Sequence, residues 1–221
     1  PTMKTSRVLT YRGWRDGATQ LDDLAAFSPF FTRDSYALTG EGREPERIKG
    51  VLVTDNFLPL LGVNLHLGRS FTAEEASPDG PPAVVISHEL WKRRFEADPN
   101  IVGTPIELND APVTLVGVLP DGFDFGSTFA PGYRVDLLFP APLDVMDNWG
   151  NTLSVVGRLA PGATLSSARQ EIEALTANLK EERPELEGWV VFGNTERLQE
   201  HVNGPVRGAL WLLWGAVGMV L

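Results

Sequence analysis

The sequence contains no cysteine among its 221 residues and only three histidines. The absence of cysteine excludes a disulfide-stapled scaffold, a thiolate zinc site and a cysteine nucleophile. The dipeptide Gly-Lys never occurs, which excludes a Walker phosphate loop, and no Gly-x-Ser-x-Gly elbow marks a hydrolase serine. Basic residues are outnumbered 19 to 29 by acidic ones, and the net charge of −10 argues against a nucleic-acid partner.

The composition is otherwise that of a globular protein, with 43% hydrophobic and 22% charged residues. The histidines His66, His88 and His201 lack metal-ligand spacing, so we interpret each as a surface or packing residue. The basic run Lys92–Arg94 falls late in a predicted short helix, where it complements the helix dipole.

The acidic residues likewise form no recognisable catalytic or metal-binding motif. Neighbouring carboxylates on a helix point apart, so the pairs Glu74–Glu75, Glu171–Glu173 and Glu181–Glu182 are interpreted as solvated faces. A second acidic group lacks the spacing and the glycine of a calcium loop; it comprises Asp121, Asp124 and Asp136. We therefore predict no catalytic, cofactor-binding or metal-binding residue.

The last fourteen residues, Gly208–Leu221, carry no charged or strongly polar side chain. As a helix they would span about 21 Å, short of the roughly 30 Å hydrocarbon core of a bilayer. A buried C-terminal helix is one interpretation. The segment is apolar on every side, however, and contains glycines of the kind that membrane helices tolerate. We favour the start of a truncated transmembrane helix.

Hydrophobic periodicity and turn residues predict short strands alternating with helices. The expected helices are Thr10–Ala26 broken near Gly17, Asn56–Leu61 capped by Asp55 and ended by Gly62, Ser87 to about Ala97, and one with an apolar stripe from Leu165 to Leu179. The expected strands are Arg47–Val53, Ala83–Ile86, a hairpin turning at Asn109-Asp110, Arg134–Phe139, Thr152–Leu159 and Trp189–Phe192. Thr72 and Glu75 fit a capping box.

A set of strings occurs in a fixed order along the chain: Val53–Val63, Gly68–Phe71, Ala83–Phe95, Asp98–Gly103, Ile106–Asn109, Val116–Phe123 and Val156–Leu165. Together they resemble the extracytoplasmic core domain of MacB-like ABC transporter permeases, particularly the acidobacterial duplicated orphan permease group. The resemblance covers roughly residues 10–221. It departs from the family at Asp55-Asn56-Phe57, where members often have a small residue followed by tyrosine.

The resemblance implies an α+β fold with two lobes, followed by the start of a transmembrane helix. A porter-like β-α-β lobe would comprise residues 1–53 and 149–207, an inserted mixed α/β lobe residues 54–148, and the helix start residues 208–221. The domain would lie in the periplasm, attached to the bacterial inner membrane.

The function implied by the resemblance is coupling rather than catalysis. The domain would belong to an ABC transporter permease and transmit ATP-driven conformational change to the periplasmic side, for substrate export or for lipoprotein or envelope handling. The implied partners are a cytoplasmic ABC ATPase subunit, a second permease copy or duplicated half, the inner membrane and a periplasmic adaptor, with no nucleic acid and no cofactor. The alternative is a membrane-anchored periplasmic binding or interaction module without transport activity.

Overall fold

The computed structural model describes residues 5–30, 35–40, 44–147, 150, 152–182 and 198. Within these ranges the chain alternates short strands with helices, which confirms the predicted α+β class. The helices are α1 (Val8–Gly17), α2 (Phe57–Leu61), α3 (His88–Arg94), α4 (Phe125–Phe129), α5 (Leu143–Met146) and α6 (Leu165–Glu182). The strands are β1 (Leu21–Phe27), β2 (Ser35–Thr39), β3 (Glu46–Val53), β4 (Leu67–Gly68), β5 (Ala83–Ile86), β6 (Pro105–Leu108), β7 (Ala111–Val118), β8 (Leu137–Pro140) and β9 (Ser154–Leu159).

All of these strands belong to one hydrogen-bonded sheet in the order β2-β6-β7-β5-β8-β3-β1-β9, with β4 added to β7. Strand β2 pairs with both β6 and β3, so six of the strands form a closed ring. Strands β1 and β9 extend the sheet beyond β3, and the antiparallel β1–β9 pair joins the N-terminal segment to the C-terminal one. The sheet thus runs through both predicted lobes; the lobe boundaries themselves stay a prediction.

Alternation along the strands distributes the apolar side chains between separate cores. In β5, Ala83 and Val85 face a core that also holds α2 and α4, whereas Val84 and Ile86 face the core beneath α3. In β1, Leu24 and Ala26 contribute to a third core, which lies against α1 and α6. Helices therefore lie against both sides of β1 and β5, and all four residues of β5 are buried.

Local signals account for several element ends. The Ser87 side chain accepts a hydrogen bond from the Leu90 backbone N–H at 3.0 Å, and α3 begins there as predicted. Gly62 adopts the left-handed conformation (φ 70°) that ends α2. Asn109 and Asp110 have φ of 53° and 62°, and they form the predicted turn between β6 and β7.

Three sequence predictions are corrected. Residues beyond Gly17 do not continue the predicted helix, because Leu21–Phe27 pairs with β9 as a strand. Helix α2 follows Asn56 rather than being capped by Asp55, and it has no side-chain cap. Helix α3 ends at Arg94 rather than near Ala97, since Glu96 and Ala97 both have positive φ.

Two predictions fall outside the described residues: the strand Trp189–Phe192 and the transmembrane start Gly208–Leu221. In the part of the chain that is described, no helix has the combination of length and hydropathy needed to cross a membrane. The capping box is confirmed. The Thr72 backbone N–H donates to the Glu75 carboxylate at 2.8 Å, and the Glu75 N–H donates to the Thr72 hydroxyl at 3.3 Å.

Candidate functional site

Helices α1 and α6 pack closely at the side of the sheet where the N-terminal and C-terminal segments meet. A Cβ atom at Gly13 would lie 2.6 Å from a Leu179 methyl carbon, and one at Gly17 would lie 2.8 Å from a Leu175 methyl carbon. The glycines thus allow the leucines of the predicted apolar stripe to approach the α1 backbone. Ala168 and Ile172 of the same stripe are buried, which confirms that this face of α6 docks on the sheet.

A buried hydrogen bond connects the same two helices. The Trp14 indole N–H donates to the Thr176 hydroxyl at 2.9 Å, and that hydroxyl donates to the Ile172 carbonyl at 2.6 Å. Because both side chains are buried, loss of either partner would leave a polar group without water. The bond therefore fixes the register of α6 on α1.

Glu171 ties α6 to the loop between α1 and β1. Its carboxylate accepts hydrogen bonds from the Thr19 N–H at 2.8 Å, the Thr19 hydroxyl at 2.6 Å and the Gln20 N–H at 2.8 Å. Burial raises the pKa of Glu171, but these hydrogen bonds together lower it by more, so its pKa lies below the ordinary value. Glu171 stays partly exposed, but the hydrogen bonds from a loop in a distant part of the sequence were not predicted.

A polar network links β1 to the start of α2. The Asn56 side-chain amide donates to the Asp23 carboxylate at 2.6 Å and to the Leu24 carbonyl at 2.9 Å. The Thr54 hydroxyl donates to Asn56 Oδ1 at 2.8 Å and accepts from the Ala26 N–H at 3.0 Å. Asn56 belongs to the stretch Asp55-Asn56-Phe57, where the sequence departs from the resembling family, and it joins the N-terminal strand to the middle of the chain.

Arg158 makes a second link of this kind, from β9 to the C-terminal end of α2. Its guanidinium donates to the Leu60 carbonyl and to the Pro59 carbonyl, the latter at 3.2 Å. The last carbonyls of a helix lack partners within it, so a cation satisfies both their hydrogen bonds and the negative end of the helix dipole. The C-terminal strand thus holds the middle segment directly.

A buried carboxylate, Asp136, lies directly before β8 and joins it to α3. Its two oxygens accept from Arg93 Nη1 at 3.1 Å and Nη2 at 3.0 Å, and Oδ1 also accepts from the Ser87 hydroxyl at 2.8 Å and Arg134 Nε at 3.2 Å. Arg93 Nη2 lies 2.6 Å from Glu46 Oε1 as well. The run Lys92–Arg94 ends α3 as predicted, but the cross-sheet partners of Arg93 were not predicted.

Glu75, predicted to lie on a solvated face, is instead buried. It is 9% exposed, and it forms a double contact with the Arg69 guanidinium at 2.9 and 2.7 Å. Hydrogen bonding from Arg69 lowers the pKa of Glu75 by more than burial raises it. Arg69 and Glu75 thereby close the loop that follows β4.

A shallow cleft of about 240 Å³ opens at the first turn of α3. Its walls carry acidic and basic side chains together, including Glu89, Lys92, Asp124 and Arg134. Asp124 has a structural role there, since its carboxylate accepts from the Gly126 N–H at 2.8 Å and caps α4. No three His, Asp or Glu side chains of the described residues converge as metal ligands.

Contacts between distant segments tie the described residues together. Strand pairing, the α1–α6 contact and the links made by Asn56 and Arg158 join the two ends of the described chain to its middle. Helix α6 is thus connected to α1, to the loop after α1 and to the sheet by hydrogen bonds and packed side chains.

The sequence of residues 3–175 matches the family of MacB-like periplasmic core domains. This chain belongs to that family. The resemblance noted from the ordered strings is thus confirmed at the level of the MacB-like periplasmic core domain. Its finer placement in the acidobacterial group stays a prediction. Among curated proteins no significant sequence relative is found.

Solved structures with the same fold include three transporter domains. The periplasmic region of MacB from Actinobacillus actinomycetemcomitans is 14% identical with a TM-score of 0.57, over 82% of this chain and 76% of that one. The extracellular domain of the noncanonic ABC-type transporter YknZ from Gram-positive bacteria is 17% identical with a TM-score of 0.57, over 79% and 84%. A domain of a putative permease from Porphyromonas gingivalis is 15% identical with a TM-score of 0.56, over 80% and 71%.

Proposed function

We propose that this MacB-like domain transmits ATP-driven conformational change from a permease's membrane helices to the periplasmic side of the inner membrane. The observation that carries the proposal is the continuity of the sheet, which joins the N-terminal and C-terminal segments through the β1–β9 pair. A body tied together in this way moves as a unit when one of its ends is displaced, as in hinge-type transitions.

Helix α6 is the element through which we propose that displacement enters. Its buried face packs on the sheet, and its Thr176 and Glu171 side chains are bonded to α1 and to the following loop. Motion of α6 would therefore carry α1 and β1 with it rather than slide past them.

In this proposal ATP is hydrolysed by a separate ABC ATPase subunit, and the domain itself catalyses no reaction. The domain would act in a pair, with a second permease copy or a duplicated half as its partner. The transported material is left open, whether an exported substrate or a lipoprotein or other envelope component.

The sequence contains no cysteine, so an introduced cysteine is the only one in this domain and can carry a label. Glu74, an exposed residue in the middle of the chain, can be replaced by cysteine and spin-labelled in the reconstituted permease together with its ATPase. We expect the distance between labels on paired domains to change by several ångströms between the nucleotide-free and ATP-bound states. An unchanged distance during active hydrolysis would overturn the proposal and would favour the anchored binding module.

A matched pair of variants on α6 tests the proposed route. Glu171→Ala removes three hydrogen bonds to the α1–β1 loop, whereas Glu173→Ala changes an exposed residue of the same helix. We expect E171A to diminish the label displacement while ATP hydrolysis continues, and E173A to leave both unchanged. Equal displacement in the two variants would rule out Glu171 as part of the route.

A further inference from the structure

Two histidines that the sequence analysis treated separately lie side by side in the fold. His66 and His88 are 22 positions apart in sequence, yet their ring centroids are 5.1 Å apart with an interplanar angle of 83°. The Trp91 ring lies 4.9 Å from the His66 ring and 5.2 Å from the His88 ring. Trp91 therefore restricts the orientation of both imidazoles.

A carboxylate that is 81% exposed lies beside the His88 ring. Asp121 Oδ1 lies 3.2 Å from His88 Nδ1, and the His88 side chain is only 13% exposed. In the neutral imidazole, a proton on Nδ1 that is donated to a carboxylate leaves Nε2 as a lone-pair donor. Histidines that bind metal are commonly held by a carboxylate in this way, which fixes the tautomer and raises the basicity of the ligating nitrogen.

The spacing of the two rings fits a shared metal ion. With a metal–nitrogen bond of about 2.05 Å, each ring centre lies about 3.2 Å from the metal, and a tetrahedral angle then separates the centres by about 5.2 Å. The observed separation of the His66 and His88 rings is 5.1 Å. We propose that His66 and His88, oriented by Trp91 and Asp121, form a two-histidine site for Zn²⁺ or another borderline divalent transition metal.

Two protein ligands leave further coordination positions of a metal ion to be filled. No third His, Asp or Glu of the described chain joins the pair as a ligand, so water or an external group completes the site. The cleft that His88 and Asp121 help to line provides room for such groups on the His88 side of the pair. Glu89 and Asp124 in its walls favour a cation, whereas Lys92 and Arg134 oppose one.

Calorimetric titration of the purified chain with Zn²⁺ at pH 7.5, where an ordinary imidazole is neutral, tests the site. We expect one ion per chain with an affinity that falls at least tenfold in His66→Ala. His66 is exposed, so this substitution does not endanger folding. Asp121→Asn should weaken binding by about 10-fold to 100-fold through the lost orientation of His88.

His201→Ala is the matched control, because it removes a histidine from another part of the sequence. We expect it to bind Zn²⁺ as the unaltered chain does. Absence of binding at millimolar Zn²⁺, or binding that is equal in H66A and the unaltered chain, would overturn the proposal. Either result would show that the two rings and Trp91 are packing partners only. The test does not depend on transport, so its outcome leaves the proposed function unaffected.

Discussion

Replacing Asp136 by asparagine should destabilise the domain by about 2 kcal/mol. The substitution preserves the size of the side chain but removes its charge and one of its acceptor oxygens. Asp136 is 3% exposed, and every donor around it points at a carboxylate oxygen: two from Arg93, one from Arg134 and one from Ser87. An amide NH₂ group placed among these donors cannot accept from the one that it faces.

The size of the stability loss depends on how many of the interactions around residue 136 remain in the variant. A hydrogen bond to a charged group contributes about 1.5–3 kcal/mol, and breaking a buried ion pair costs about 3–5 kcal/mol. The Arg93 side chain is 27% exposed and keeps its contact with Glu46, so water and a second carboxylate compensate in part. We therefore expect a loss of stability of about 2 kcal/mol, toward the lower end of these values.

Urea unfolding followed by circular dichroism measures the effect. With a slope of about 2 kcal/mol per molar urea, the midpoint should fall by about 1 M in D136N. Glu89→Gln is the matched control. It changes a carboxylate that is 68% exposed and contacts Arg134 at 3.0 Å, and a surface pair of this kind contributes about 0–1 kcal/mol. A D136N midpoint no lower than that of E89Q would refute the assignment of Asp136 as the organising carboxylate.

Further substitutions test other parts of the fold. Thr176→Val should cost about 1–3 kcal/mol in urea unfolding, because it leaves the buried Trp14 N–H without an acceptor; an unchanged midpoint would show that this bond does not hold α6. The lowered pKa of Glu171 stabilises the folded state at and above its ordinary pKa of about 4.5, and this contribution is lost as pH falls below that value. Glu171→Gln should therefore flatten the stability profile below about pH 4.5, and an unaltered profile would contradict that role. Asp110→Gly should raise the thermal midpoint slightly, because φ at this turn position is 62° and glycine adopts it without strain; a lower midpoint would show that the Asp110 side chain stabilises the turn.

Sequence patterns predicted the caps and turns that depend on residues close together in the sequence. Ser87 caps α3 and the Thr72–Glu75 box closes, since each interaction joins atoms only three residues apart. The turn at Asn109-Asp110 formed as expected because, after glycine, such residues tolerate left-handed backbone best. The apolar stripe of α6 was likewise readable from its spacing alone.

Residues 21–27 show where local signals were insufficient. The mixture of Leu24 and Ala25 with Asp22 and Asp23 allowed a helix, but pairing with β9, more than 120 residues away, makes the segment a strand. Its alternate side chains then enter two different cores. Propensity is a weak determinant when the partner strand supplies hydrogen bonds and burial.

By itself, the sequence determined the family, the α+β class and the ends of several elements. Tertiary structure alone decided that Glu171 holds the α1–β1 loop, that Arg93 reaches Asp136 across the sheet, and that His66 meets His88. The physical reason is separation along the chain. Caps and turns are set by neighbouring atoms, whereas these contacts exist only after the sheet brings distant segments together.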